Sequence, residues 1–76
     1  MKKIENSVCL RNFGNWIKGE RERKGMTQTE IATMVGIDQT YYSKIELAHR
    51  KVDFVMALNI CKALKLDLSD FIKTQI

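Results

Sequence analysis

Proline is absent from this chain, histidine occurs once and cysteine twice in 76 residues. Without proline, nothing interrupts a helix interior. Cys9 and Cys61 lack the paired spacing of a zinc site and are too few for a disulfide scaffold, so both read as reduced thiols of a cytoplasmic protein. With a single histidine, no carboxylate pair in a recognisable arrangement and no nucleotide-binding glycine loop, an enzyme is not expected, nor is a metal or other cofactor. No run approaches the ~18 apolar residues of a membrane-crossing helix. Lys2 and Lys3 open the chain, but Glu5, Asn6 and Ser7 then break up any signal-peptide core. No stretch has the strand period of two.

What remains is an ordinary soluble composition, 45% hydrophobic and 29% charged. A chain of 76 residues makes a single domain over 1–76, and a domain of that size buries only about 60% of its unfolded surface, so a partner subunit would help it. The formal net charge is +4 and is unevenly placed. Residues 1–51 hold ten Lys/Arg against six Asp/Glu, whereas residues 52–76 hold three of each. The first two thirds can therefore attract a polyanion. The remainder is neutral and apolar.

Capping signals divide the chain into about five short helices. Phe13, Trp16 and Ile17 recur at helical spacing ahead of the charged run Lys18 to Lys24, predicting a first helix over about 9–24, closed by Gly25. Residues 1–9 read as an N-terminal extension. Thr27 with Glu30 forms a capping box that opens a second helix over 28–35, closed by Gly36. Asp38 caps a third over 39–47, and Asp53 a fourth through Leu64. Asp67 or Ser69 starts a last one through about Thr74. Within the fourth, Phe54, Ala57 or Leu58, Cys61 and Leu64 form the expected core stripe.

So tight a junction between the second and third helices requires a steep crossing. Ala32 permits the backbones to approach, and Gly36 supplies the positive φ of the turn. Ile31, Val35, Ile37, Tyr42 and Ile45 then share an inner face, with the Tyr42 ring in the core and its hydroxyl expected at the rim. This is the pattern of a helix-turn-helix over about residues 28–47. From FGNWIKGERERKGMTQTEIATMVGI through DQTYYSKIE to AHR, the chain resembles the lambda repressor and Cro-like, or Xre, helix-turn-helix domain. The resemblance spans about residues 10–72 and implies an all-α, compact bundle of five short helices that binds double-stranded DNA.

The free amides and positive dipoles of two neighbouring helix N-termini suit a phosphate. Gln28 is expected to donate to that phosphate while bonding Gln39. So held, Gln39 can present a donor and an acceptor to the N6/N7 edge of adenine. The resemblance implies these same roles for the two glutamines. Thr40, Ser43 and Lys44 complete the outward face, with hydroxyls for either strand and an ammonium for guanine or phosphate. Arg50 is a further expected base contact, and Thr27, Tyr41, His49 and Lys51 are expected at phosphates. Family members usually have glycine where Ala48 stands and often proline where Val52 stands. The resemblance also implies a buried ion pair between Arg21 and Glu46. Glu20 stands where many relatives have an aliphatic residue, and Gly19 costs its helix roughly 1 kcal/mol relative to alanine.

Off the core stripe lie Val55, Met56 and Ile60, followed by Leu68, Phe71 and Ile72. So much apolar surface in residues 53–76 predicts a homodimer interface. Two-fold symmetry would place two recognition helices about one DNA turn, ~34 Å, apart on a palindromic operator. The resemblance extends to restriction-modification controllers that regulate their own operon and, equally, to phage or mobile-element repressors. No membrane partner or small-molecule ligand is expected. An alternative from another class is a protein-binding module, such as an antitoxin, that uses the apolar C-terminal helices.

Overall fold

The computed structural model describes residues 3–76 and, among them, contains helices and no strand. The elements are α1 (Asn6–Arg23), α2 (Gln28–Val35), α3 (Gln39–Glu46), α4 (Phe54–Leu64) and α5 (Leu68–Gln75). Met1 and Lys2, the beginning of the expected extension over 1–9, lie outside the described residues. The rest of that extension is short, because α1 starts at Asn6, where the Cys9 amide donates to the Glu5 carbonyl at 2.9 Å. Gly25, at φ 69°, turns the chain out of α1.

Local chemistry sets the other boundaries. The Thr27 hydroxyl accepts from the Glu30 amide at 3.0 Å while the Glu30 carboxylate accepts from the Thr27 amide at 2.9 Å, a complete capping box. Asp38, Asp53 and Asp67 cap α3, α4 and α5 through the amides of Tyr41, Met56 and Ser69. Gly36, at φ 87°, ends α2 in the left-handed conformation. Ala48 adopts φ 60° after α3, so the place where family members usually carry glycine does require left-handed backbone here, and alanine fills it under strain.

Ile17, Ile31, Tyr42, Ile45, Ile60 and Leu64 are fully buried where α1, α2, α3 and α4 converge. Each such apolar side chain contributes about 1.5–3 kcal/mol. Phe71 anchors α5 by packing edge-on against Phe13 and stacking on Trp16, both with ring centroids at 5.3 Å. Asn12 donates to Gln75 at 3.0 Å across the same seam. Lys24 donates to the carbonyl of Leu64 at 2.6 Å, placing a cation at the C-terminal end of α4, where the helix dipole favours it.

A close approach between α1 and α3 depends on Gly14. A Cβ there would lie 2.4 Å from the Glu46 carbonyl oxygen and 2.9 Å from that of Ile45, so α1 passes directly against the end of α3. Gly19, by contrast, faces open space. Glu20 is half-buried and paired with Arg23 one turn on.

Two sequence expectations about packing need correction. The inner stripe of α4 is Ile60, Cys61, Ala63 and Leu64; of the expected stripe Cys61 and Leu64 are buried and Ala57, rather than its alternative Leu58, packs against the core, whereas Phe54 and Leu58 are 68% and 41% exposed. An apolar helix with hydrophobic residues on several faces does not announce which face turns inward, and packing against α1 and α2 decides. The Tyr42 hydroxyl, expected at the rim, is buried and without a hydrogen-bond partner. The Glu46 carboxylate lies close by, and burial first, then the short-range and charge effects of that carboxylate, push the phenol well above its ordinary value.

Candidate nucleic-acid interface

Gly36, Ile37 and Asp38 alone separate α2 from α3, and the amides of Gly36 and Ile37 both donate to the Ala32 carbonyl, at 2.9 and 3.0 Å. This turn leaves the first turn of α3 open. Gln39, Thr40, Tyr41 and Lys44 line a shallow hollow of about 380 Å³ together with Asp38 and Arg50. The Asp38 carboxylate is engaged with the Tyr41 amide at 2.8 Å, so Lys44 and Arg50 give the hollow its net positive character.

Arg50 comes to this hollow by stacking. Its guanidinium carbon lies 4.5 Å from the centroid of the Tyr41 ring, a cation–π contact that fixes a loop side chain against the helix. The two were expected separately, at a base and at a phosphate; the structure brings them together. Ser43 is half-buried, and His49 and Lys51 are exposed on the loop after α3, so none of the three lines the hollow. Thr27 is exposed at the start of α2, its oxygen occupied by the capping box.

Behind the open face runs a connected polar chain. Arg21 donates to Glu46 twice, from Nε to Oε2 at 2.7 Å and from Nη2 to Oε1 at 3.0 Å, and to the Met26 carbonyl at 2.9 Å. Glu46 Oε1 also accepts from Gln28 Nε2 at 3.0 Å, and Gln28 Oε1 accepts from Gln39 Nε2 at 2.7 Å. The Arg21–Glu46 ion pair and the Gln28–Gln39 bond are thus both present, and they are joined. The junction, Gln28 to Glu46, was missed from the sequence, where Gln28 was expected to spend its amide on a phosphate. One of its two N–H groups is already committed inward. Burial pushes Glu46 up, but the hydrogen bonds donated by Arg21 and Gln28 outweigh it and hold the carboxyl below its ordinary value. The hydrogen bond to Glu46 raises Arg21 in turn.

On the far side, the expected dimer residues divide. Ile60 and Phe71 are 0% and 6% exposed, because both fill the core of the single chain, and they are not surface residues. Met56 and Leu68 are half-buried. Val55 and Ile72 are exposed, at 64% and 45%, and join Phe54 and Leu58 in an apolar face on α4 and α5 that sequence reasoning had partly assigned inward. Cys61 is buried, and burial chiefly, with the Asp67 carboxylate, pushes its thiol up to about 11, so it stays protonated and inert at neutral pH. No cluster of metal-ligating side chains occurs among the described residues, and no described helix is long and apolar enough to cross a membrane.

Two short helices crossed over a glycine turn, the second with a polar, cationic first turn open to solvent, define a helix-turn-helix domain. The family model described as Helix-turn-helix matches residues 17–71. The chain belongs to this family of DNA-binding domains, in its lambda repressor and Cro-like (Xre) branch. It is 36% identical over 66 residues to Control protein C.MunI of a Mycoplasma species, covering 86% of this chain and 88% of that one. Among solved structures, it superposes on the restriction-modification controller protein C.Esp1396I with a TM-score of 0.81 at 32% identity, covering 91% of each chain. It also superposes on a chain of that controller from its tetramer in complex with its natural 35 base-pair operator, with a TM-score of 0.80, 32% identity and the same coverage.

Proposed function

We propose that this chain is a sequence-specific transcriptional regulator of the restriction-modification controller type. It binds a palindromic operator as a homodimer in the cytoplasm and regulates the operon that encodes it. The single observation that carries the reading is the composition of one surface. Gln39, Thr40, Tyr41, Lys44 and Arg50 line a common hollow on the open side of α3, and they combine amide, hydroxyl and cationic groups suited to base edges and phosphates. In this reading α3 enters the major groove, and Gln28, Thr27, His49 and Lys51 flank it at the backbone. The C.Esp1396I operator complex supports the assignment by similarity.

Dimerisation falls to the exposed face of α4 and α5, through Val55, Phe54, Leu58 and Ile72. An uncovered patch of this kind in so small a domain favours an interface between copies. Two-fold symmetry then separates the recognition helices by about one turn of DNA, ~34 Å.

Selection of duplex DNA from a random pool at about 0.15 M salt tests the proposal, since nonspecific backbone binding is weak there. Enrichment of one palindrome is expected. A folded, dimeric protein that enriches no sequence would refute DNA reading and favour a protein-binding module built on the α4–α5 face.

A further inference from the structure

Glutamine at the head of a recognition helix is ambiguous. With its amide nitrogen anchored behind it, the outward edge carries an oxygen and one N–H, which complements the N6 donor and N7 acceptor of adenine. Turned over, with its oxygen anchored, it presents its N–H groups instead, which complement the N7 and O6 acceptors of guanine. Something must choose between the two.

The polar chain behind Gln39 makes that choice. Arginine has only donors and a carboxylate only acceptors, so the bidentate contacts at 2.7 and 3.0 Å fix Glu46 as an acceptor. The Gln28 amide must therefore meet Glu46 through nitrogen, as it does at 3.0 Å, and its oxygen must face the other way. Gln39 can satisfy that oxygen only with its own nitrogen, as it does at 2.7 Å. Reversing any link would set N–H against N–H or oxygen against oxygen. The source of the polarity is protected: the Glu46 and Arg21 side chains are 1% and 11% exposed.

We propose that Glu46 is a positioning residue for base specificity. Acting through Gln28, it locks Gln39 in the orientation that reads adenine and rejects guanine. This rests on the DNA-binding reading above and adds to it a specificity role for a residue otherwise occupied with an ion pair.

Random-duplex selection with variants tests the proposal. Gln39→Ala identifies the base pair that Gln39 reads, and wild type is expected to prefer adenine over guanine there by about 5- to 150-fold. Glu46→Gln, whose amide can face Gln28 either way, brings that ratio towards one, a loss of up to about 5- to 150-fold, while the ranking at other positions stands. The exchanged pair Gln28→Glu with Glu46→Gln reverses the link between the two positions but again sets an acceptor-only side chain against Gln39, which must donate through its nitrogen, and so restores the adenine preference. That recovery is one that a merely structural role for Glu46 would not produce. If Glu46→Gln does not fold by circular dichroism, Gln28→Met decides, because it removes the anchor while leaving the ion pair, and the ratio must fall by the same factor. An unchanged adenine-to-guanine ratio in a folded Glu46→Gln or Gln28→Met protein overturns the proposal, as does guanine preference in wild type. Those results leave the DNA-binding reading intact, whereas wild type enriching no sequence overturns both.

Discussion

The two ends of this small domain solve opposite problems. Around α2 and α3 the exposed face is polar and ordered: Gln39 is held by Gln28, Arg50 by Tyr41, and a buried ion pair stands behind them. Across α4 and α5 the exposed face carries apolar side chains, with Phe54, Val55, Leu58 and Ile72 open to solvent. The first arrangement fixes donors and acceptors in direction, which is what reading a base edge requires. The second offers area without direction, which suits two-fold association. In the proposed reading, specificity and assembly are thus separated onto different helices, and each can be disturbed alone.

The largest effect should come from the polar end. Glu46→Ala leaves the Arg21 guanidinium buried without its partner, and urea unfolding should show a loss of about 3–5 kcal/mol. Acid sharpens the same point. The folded Glu46 pKa lies below the ordinary 4.5, so its stabilisation is fully present above pH 4.5 and disappears as pH falls through the lowered folded value. Urea midpoints followed from neutral pH to about 3 should fall in wild type, and Glu46→Gln should lack that part of the decline.

At the apolar end, neighbouring residues should behave differently. Ile60→Ala opens a cavity in the monomer core and should cost about 2–5 kcal/mol. Val55→Ala should change monomer stability by less than about 0.5 kcal/mol. Equal losses at the two positions would erase the distinction between core and exposed face that the structure draws within α4.

The glycines of α1 offer a smaller contrast of opposite sign. Gly14→Ala drives a methyl group into the Glu46 and Ile45 carbonyls and should destabilise by about 1–3 kcal/mol. Gly19→Ala meets nothing and should stabilise by up to about 1 kcal/mol. Thermal melts of the two variants, displaced in opposite directions, would check the placement of α1 on α3. A modest gain of about 0.5–1 kcal/mol is expected for Ala48→Gly in the same assay, since glycine relieves the left-handed backbone after α3.

Legibility in the sequence followed range. Features set by neighbours a few residues apart were readable: the Thr27–Glu30 box, the Asp38, Asp53 and Asp67 caps, the Gly36 turn and thus the five-helix order. The Arg21–Glu46 pair and the Gln28–Gln39 bond were readable through family resemblance, which encodes long-range contacts that spacing alone does not. Features decided by distant packing were not. Gly14 looked like any mid-helix glycine, although a glycine beside Phe13 with no turn to make was a signal of close approach. The inward face of α4 was underdetermined because too many of its residues are apolar, and the join of Gln28 to Glu46 required knowing that both chains of contacts meet at one carboxylate oxygen.

The most direct test of the separation titrates the selected duplex and its isolated half-site with wild type, Gln39→Ala and Val55→Asp. The account predicts that Gln39→Ala binds the half-site more weakly, by about 5- to 150-fold, with cooperativity on the full site retained. It predicts that Val55→Asp keeps the base preference of the half-site but loses the cooperative gain on the full site. A Val55→Asp protein that alters base preference, or a Gln39→Ala protein that abolishes cooperativity while retaining base preference, would contradict it.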